Sequence, residues 1–188
     1  MASRTGGRAQ VIAEVFGRGF RGGSAFKIPD ASSQGRTNMA RAPFQVLIIP
    51  FRRTEKGIEY AIFRRSDSGY WQGIAGGGED EETPSEAAAR EAEEEAGISA
   101  DSHYTLLDAV SKMPAEEIVG TLLWGTDVLV IPEYCFGVEV VSAQLVLSHE
   151  HAEYRWVPYD AAIDLLHFDS NKTALWELNH RLLRSLAD

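Results

Sequence analysis

The chain has 188 residues, 44% hydrophobic and 24% charged, the composition of a globular protein long enough to bury its own core, with one domain as the default. Its net charge of -10 is uneven: residues 1–41 hold seven Lys/Arg against two acids, a net of +5, so the other 147 residues carry -15. A body this acidic argues against binding duplex nucleic acid through its phosphates; the single cysteine, Cys135, excludes an intramolecular disulfide and leaves a Cys-based zinc site unsupported; no apolar run is long enough to span a bilayer.

Residues 1–40 are rich in Gly, Ser and Arg, with one short apolar patch at Val11–Phe16, and read as a flexible basic tail before a domain at residues 41–188. An organellar transit segment and a nucleic-acid-binding arm are the minor alternatives, and Met39 stands just before the patterned sequence begins. No secretory signal opens the chain, and a reducing, cytoplasmic location is expected.

From Pro43 to Phe51 the β-rich run predicts a central strand, and beyond a turn at Lys56-Gly57 the alternation of Ile58–Arg65 predicts its hairpin partner. Ser66–Gly69 breaks the pattern, and Tyr70-Trp71-Gln72-Gly73-Ile74 leads into a triple glycine at 76–78. A helix then starts at Pro84: Thr83 is the N-cap, Pro84 occupies the first helical position where its missing N–H costs nothing, and Glu86 completes a capping box. Gly97 suits the left-handed position that ends it, with Ile98 folding back. Strands are predicted near Tyr104–Ser111, Thr126–Ile131, Tyr134–Val141 and Ala152–Val157, then amphipathic helices over Tyr159–Leu166 and Lys172–Leu186. The pattern is that of an α/β fold, helices packed on a mixed, mostly antiparallel sheet.

On that first helix Glu91, Glu94 and Glu95 share a face, while Ala88, Ala92 and Ala96 form the next stripe and let the helix approach the sheet closely. Like charges at these spacings destabilise a helix by about 0.2–0.5 kcal/mol per pair, and acids at its C-terminal end oppose its dipole as well. No Lys or Arg follows within the helix to compensate; only Arg90 lies in it. A plain solvated acidic face is one explanation, and a carboxylate cluster for hard divalent cations is the other.

Residues 76–98, GGGEDEETPSEAAAREAEEEAGI, resemble the Nudix signature at every specified position: Gly76, Glu82, Arg90-Glu91, Ala92, Glu94-Glu95, Gly97 and Ile98. Seven of these positions are residue-specific, and at a ~7% chance for each a random match is on the order of one in a hundred million. The resemblance implies an α/β/α sandwich around a mixed sheet and a hydrolase of phosphoanhydride bonds. It implies magnesium, or manganese in its place, bound by Glu91, Glu94 and Glu95 with the Gly76 carbonyl as a further ligand. It gives Glu82 and Arg90 the task of holding the loop against the helix. Family members differ in the general base, some using a box glutamate such as Glu94, others a glutamate on a loop before the last strand. Glu150, in SHEHAEYRW, stands where that second kind is expected, as ligand or base, with Glu153 as its competitor.

The segments Tyr70–Glu79 and Glu150–Leu183 resemble the subgroup of dihydroneopterin triphosphate and dATP-type pyrophosphohydrolases, which implies a nucleoside or pterin triphosphate cleaved to monophosphate and pyrophosphate. Glu81 departs from that subgroup, which often carries Gly there. Residues expected to meet this small phosphorylated substrate are Arg64 and Arg65, one of which alternation sends inward, Trp71 and Gln72 before the box, with core packing the commoner role for a Trp there, and Asn171-Lys172, expected to open the last helix at its anion-favouring end. His149 and His151 are read as structural or substrate-edge residues. Rival readings are hydrolysis of ADP-ribose or a dinucleoside polyphosphate, and a catalytically silent Nudix module, which usually lacks box glutamates. A prenyl diphosphate isomerase would need Cys and Glu partners that lone Cys135 does not supply. A homodimer is compatible with the sequence.

Overall fold

A computed structural model describes residues 40–119 and 123–186. The expected N-terminal tail lies outside the described residues, Ala40 apart. Among the described residues, seven strands and four helices follow in chain order: β1 (Arg41–Thr54), β2 (Gly57–Arg65), β3 (Trp71–Gln72), β4 (Ile74–Glu79), α1 (Pro84–Ala96), β5 (Tyr104–Pro114), α2 (Ala115–Val119), β6 (Val130–Glu139), β7 (His151–Val157), α3 (Tyr159–Leu165) and α4 (Asp169–Arg184).

The long strand β1 organises the sheet. Its N-terminal half pairs antiparallel with β4, its C-terminal end antiparallel with β2, and its other edge parallel with β6, which in turn pairs antiparallel with β5. The far edge of β2 carries β7. Strict alternation then sorts the core. Val46, Ile48, Ala61, Phe63, Phe136 and Val138 face α1, whereas Leu47, Ile49, Tyr60, Ile62 and Cys135 face α3 and α4. Helices therefore cover both faces, the expected α/β/α arrangement.

Helix α1 starts and stops where its caps dictate. The Thr83 side chain accepts from the Glu86 N–H, the Glu86 carboxylate accepts from the Thr83 N–H, and Gly97 takes the left-handed conformation at φ 65°. Its buried apolar face is Ala87, Ala88, Ala92 and Ala96, so along this stripe only methyl groups face the sheet, with Glu95 buried beside them.

Four elements depart from the sequence-based expectation. Ile74–Glu79 is a strand in spite of its glycines, because β1 offers it a ladder and the glycines admit bulky neighbours. The two strands expected on either side of Pro132 are one, β6, while residues 126–129 are irregular. Pro132 is tolerated because β1 pairs with β6 only from Glu133 onward, which leaves the proline on an unpaired stretch of that edge. A short helix, α2, follows β5 directly. Helix α4 begins at Asp169 rather than Lys172, so Asn171-Lys172 lies inside its first turn instead of opening it.

The β5–β6 register shifts between Leu106 and Val110, and the backbone N–H groups of Asp108 and Ala109 in that irregularity donate to the Glu177 carboxylate at 2.8 and 2.7 Å. Glu177 thus ties α4 to β5, with Arg181 bound to it. Replacing Glu177 by Ala leaves both donors without that acceptor and is expected to lower unfolding stability by about 2 kcal/mol, read as a reduced urea midpoint at unchanged slope; an unchanged midpoint would show that solvent serves these groups equally well.

Candidate active site

The acidic helix face is anchored through one arginine. Arg90 makes a two-pronged contact with Glu82, Nε to Oε1 at 2.8 Å and Nη2 to Oε2 at 3.0 Å. Its Nη2 also donates to the Gly77 carbonyl at 2.8 Å, and its Nη1 to Glu91 Oε1 at 2.9 Å. The second Glu82 oxygen accepts from the Glu79 N–H at 2.9 Å. Arg90 therefore joins the strand–helix loop, the glycine strand and the first glutamate of the helix face. These contacts hold the Glu82 carboxyl below its usual range, chiefly through the Arg90 hydrogen bond, and raise Arg90.

Gly76 is where the glycine strand passes the helix: a Cβ there would stand 2.0 Å from the Glu91 carboxyl carbon. Glu91 is consequently half-buried against bare backbone, and desolvation pushes its carboxyl up to about 7 although Arg90 opposes the shift. On the neighbouring residue Gly77 rests the Arg41 guanidinium, which sequence reasoning did not single out. With its amide oriented to satisfy both neighbours, Gln45 donates to the Gly76 carbonyl at 2.5 Å and accepts from Arg41 Nη2 at 2.9 Å.

The C-terminal end of α1 is closed by the segment between β6 and β7. Val146 N–H donates to the Ala96 carbonyl and Ser148 N–H to the Glu95 carbonyl, both at 3.0 Å, so two of the carbonyls a helix end leaves open are satisfied from outside. This brings residues 149–151 beside the acidic face. Glu150 is held there by Arg65, Nη1 to Oε2 at 3.0 Å, and Arg65 is itself paired with Asp67 at 2.7 Å. His151 Nε2 stands 2.7 Å from Glu95 Oε2 in a fully enclosed pair, and burial raises the Glu95 carboxyl against the pull of His151.

The remaining expected residues divide between the two faces of the sheet. Of the two arginines ending β2, Arg65 is the one directed toward α1; Arg64 pairs across from Glu153 on the opposite face, at 3.3 Å. Glu153 also binds Arg155, so it is neutralised twice over and away from the acidic helix. Gln72 is buried opposite Phe63, on the α1 face. Trp71 packs with the α3–α4 core, under the Arg155 guanidinium at 4.6 Å. Asn171 is buried and its Oδ1 accepts from the Gly73 N–H at 2.9 Å, while Lys172 pairs with Asp169 at 3.6 Å. Cys135 is buried in the α3–α4 core, where burial pushes its thiol up to about 12.

The donor chemistry of Glu91, Glu94 and Glu95 suits a hard divalent cation: oxygen ligands on one helix face, two of them already desolvated, and a glycine cradle that admits nothing larger. As arranged, Glu91 is turned onto Arg90 and Glu95 onto His151, and among the described residues no three His, Cys, Asp or Glu side chains form a closed ligand set. Enlarging Gly76 to Ala is expected to displace Glu91, with activity falling about a hundredfold while the melting temperature changes little; retention of full activity in a folded Gly76→Ala variant would rule out the cradle.

Comparison with known proteins places the chain among relatives. The family model described as the NUDIX domain matches residues 43–177. A structure described as a NUDIX hydrolase from Listeria monocytogenes is 44% identical, covers 77% of this chain and 97% of its own, and superposes with a TM-score of 0.70. Dihydroneopterin triphosphate diphosphatase of Escherichia coli K12 is 26% identical over 137 residues, 72% of this chain and 91% of that protein. The structure of the E. coli dihydroneopterin triphosphate pyrophosphohydrolase, at 23% identity and TM-score 0.61 over 74% of this chain and 98% of that one, shares the fold.

Proposed function

Because this chain belongs to the NUDIX family and is a hydrolase of that family, acting with divalent cations on a small phosphorylated molecule, we propose that it is a magnesium-dependent pyrophosphohydrolase of a nucleoside or pterin triphosphate, yielding the monophosphate and pyrophosphate. The observation that carries the reading is the gathering of Glu91, Glu94 and Glu95 on one helix face, anchored by Arg90 and flanked by Glu150. The triphosphate preference leans on the 26% identical E. coli relative named for dihydroneopterin triphosphate.

Glu91, Glu94 and Glu95 would hold the cation, with the Gly76 carbonyl and Glu150 completing the ligands. When bound, Mg2+ supplies charge neutralisation for the polyphosphate and for the leaving oxygen, and acidifies a water (Mn2+ can serve likewise). Arg90 and Glu82 keep the loop and the helix in register, so that the carboxylates do not separate as charge accumulates. A glutamate, Glu150 or Glu94, takes a proton from the attacking water; the water oxygen forms a bond to phosphorus, the anhydride P–O bond breaks, and pyrophosphate departs. Glu150 is favoured over Glu153 because it flanks the acidic helix with one arginine on it, whereas Glu153 sits on the other face between two. Arg65 can pass from Glu150 to a substrate phosphate.

A complete set of box glutamates argues against a silent module, and the enclosed, unreactive Cys135 argues against isomerase chemistry. Product analysis with Mg2+ and a panel of dihydroneopterin triphosphate, dNTPs, ADP-ribose and dinucleoside polyphosphates is expected to give pyrophosphate from a triphosphate with the highest kcat/KM, and Glu94→Gln is expected to reduce kcat about a thousandfold. Preferential cleavage of ADP-ribose or a dinucleoside polyphosphate would replace the substrate reading, and an unaffected Glu94→Gln variant would remove the mechanism.

A further inference from the structure

The residue next to Glu150 has no part in the reaction derived above, yet it is the most enclosed polar side chain near it. The His151 ring has no solvent exposure, packs against Phe63 with centroids 5.0 Å apart, and presents Nε2 to Glu95 Oε2 at 2.7 Å. Its other nitrogen, Nδ1, is buried without a hydrogen-bond partner among the described residues. A proton on Nδ1 would be a donor buried without an acceptor, whereas one on Nε2 meets Glu95, so Nε2–H donates to the Glu95 carboxylate.

A merely structural tie between β7 and α1 does not require this pair. The backbone bonds Val146 to Ala96 and Ser148 to Glu95 already fasten the segment to the helix end. What the side-chain bond adds is the rotamer of Glu95. A carboxylate at the end of two free torsions must be held if it is to meet a cation in one geometry, and groups that hydrogen-bond to ligands from behind do this in metal sites generally.

We propose that His151 is a positioning residue for the cation site: by donating from Nε2 to one Glu95 oxygen it fixes that carboxylate and leaves the other oxygen for the metal. The proposal rests on the reading of Glu95 as a metal ligand.

The test compares two amides in the metal-stripped protein. Gln carries its side-chain nitrogen out to where Nε2 stands, whereas Asn stops at the place of Nδ1, short of Glu95. Free Mn2+ is followed by electron paramagnetic resonance, with circular dichroism and melting to verify folding. His151→Gln is expected to bind Mn2+ nearly as tightly as the unaltered chain and His151→Asn about tenfold more weakly. If Asn prevents folding, His151→Phe, which keeps the packing on Phe63 but donates nothing, is read by the same criterion. Equal Mn2+ affinity of the Gln variant and the folded non-donating variant would overturn the proposal and leave the hydrolase reading intact. Failure of the unaltered chain to bind Mn2+ would overturn both.

Discussion

Helix α1 lies on the sheet through alanine methyl groups, and this close approach is the constraint from which the rest of the candidate site follows. It sets Glu91 against the bare backbone of Gly76 and encloses Glu95, so two carboxylates stand where water cannot fully hydrate them. Desolvation of this kind raises the cost of ionisation, as the upward shifts of both groups express. Arg90 offsets part of that cost for Glu91, and the His151 ring does so for Glu95. Glu94 has only a long contact with Arg90 at 3.5 Å and is half-exposed. Of the three carboxylates Glu94 is therefore the least compensated.

The same economy explains how an acidic chain handles an acidic substrate. A body carrying -15 outside its first 41 residues repels a polyphosphate at long range, and its arginines near the site are already engaged. Arg65 is shared between Asp67 and Glu150, and Arg90 among Glu82, Glu91 and a carbonyl. Cations bound at the helix face would reverse the local sign, and Arg65 is the engaged arginine whose partner, Glu150, the metal would also claim.

Local signals carried most of what the sequence revealed. The hairpin of β1 and β2, the start of α1 at its capping box and its end at Gly97 all depend on residues adjacent in the chain, and all stand in the structure. Strand β4 is not legible in the sequence, because glycine has weak β propensity and the pairing that makes Ile74–Glu79 a strand comes from β1, 26 to 30 residues earlier in the chain by the register of Ile48 with Ile74 and Val46 with Gly76. The β6 boundary departs from the sequence pattern for a related reason: Pro132 looks like a breaker, but it lies beyond the β1 pairing. In the site, the shared face of Glu91, Glu94 and Glu95 follows from helical period. The His151–Glu95 pair spans 56 residues, and Arg41 reaches Gly77 across the sheet; neither has a signal in local sequence. The doublet Glu150-His151 was the visible part of that pair, legible as chemistry but not as geometry.

We read the acidic face of α1 as a cation site whose metal-free form is under electrostatic strain. Thermal unfolding in chelator and in excess Mg2+ tests it most directly, since a ligand bound only by the folded state must raise its stability. The unaltered chain is expected to melt several degrees higher in Mg2+. A variant with Glu91, Glu94 and Glu95 all changed to Gln is expected to melt higher than the unaltered chain in chelator and to ignore Mg2+. Identical melting of the unaltered chain with and without Mg2+, together with a triple variant no more stable in chelator, would contradict the account.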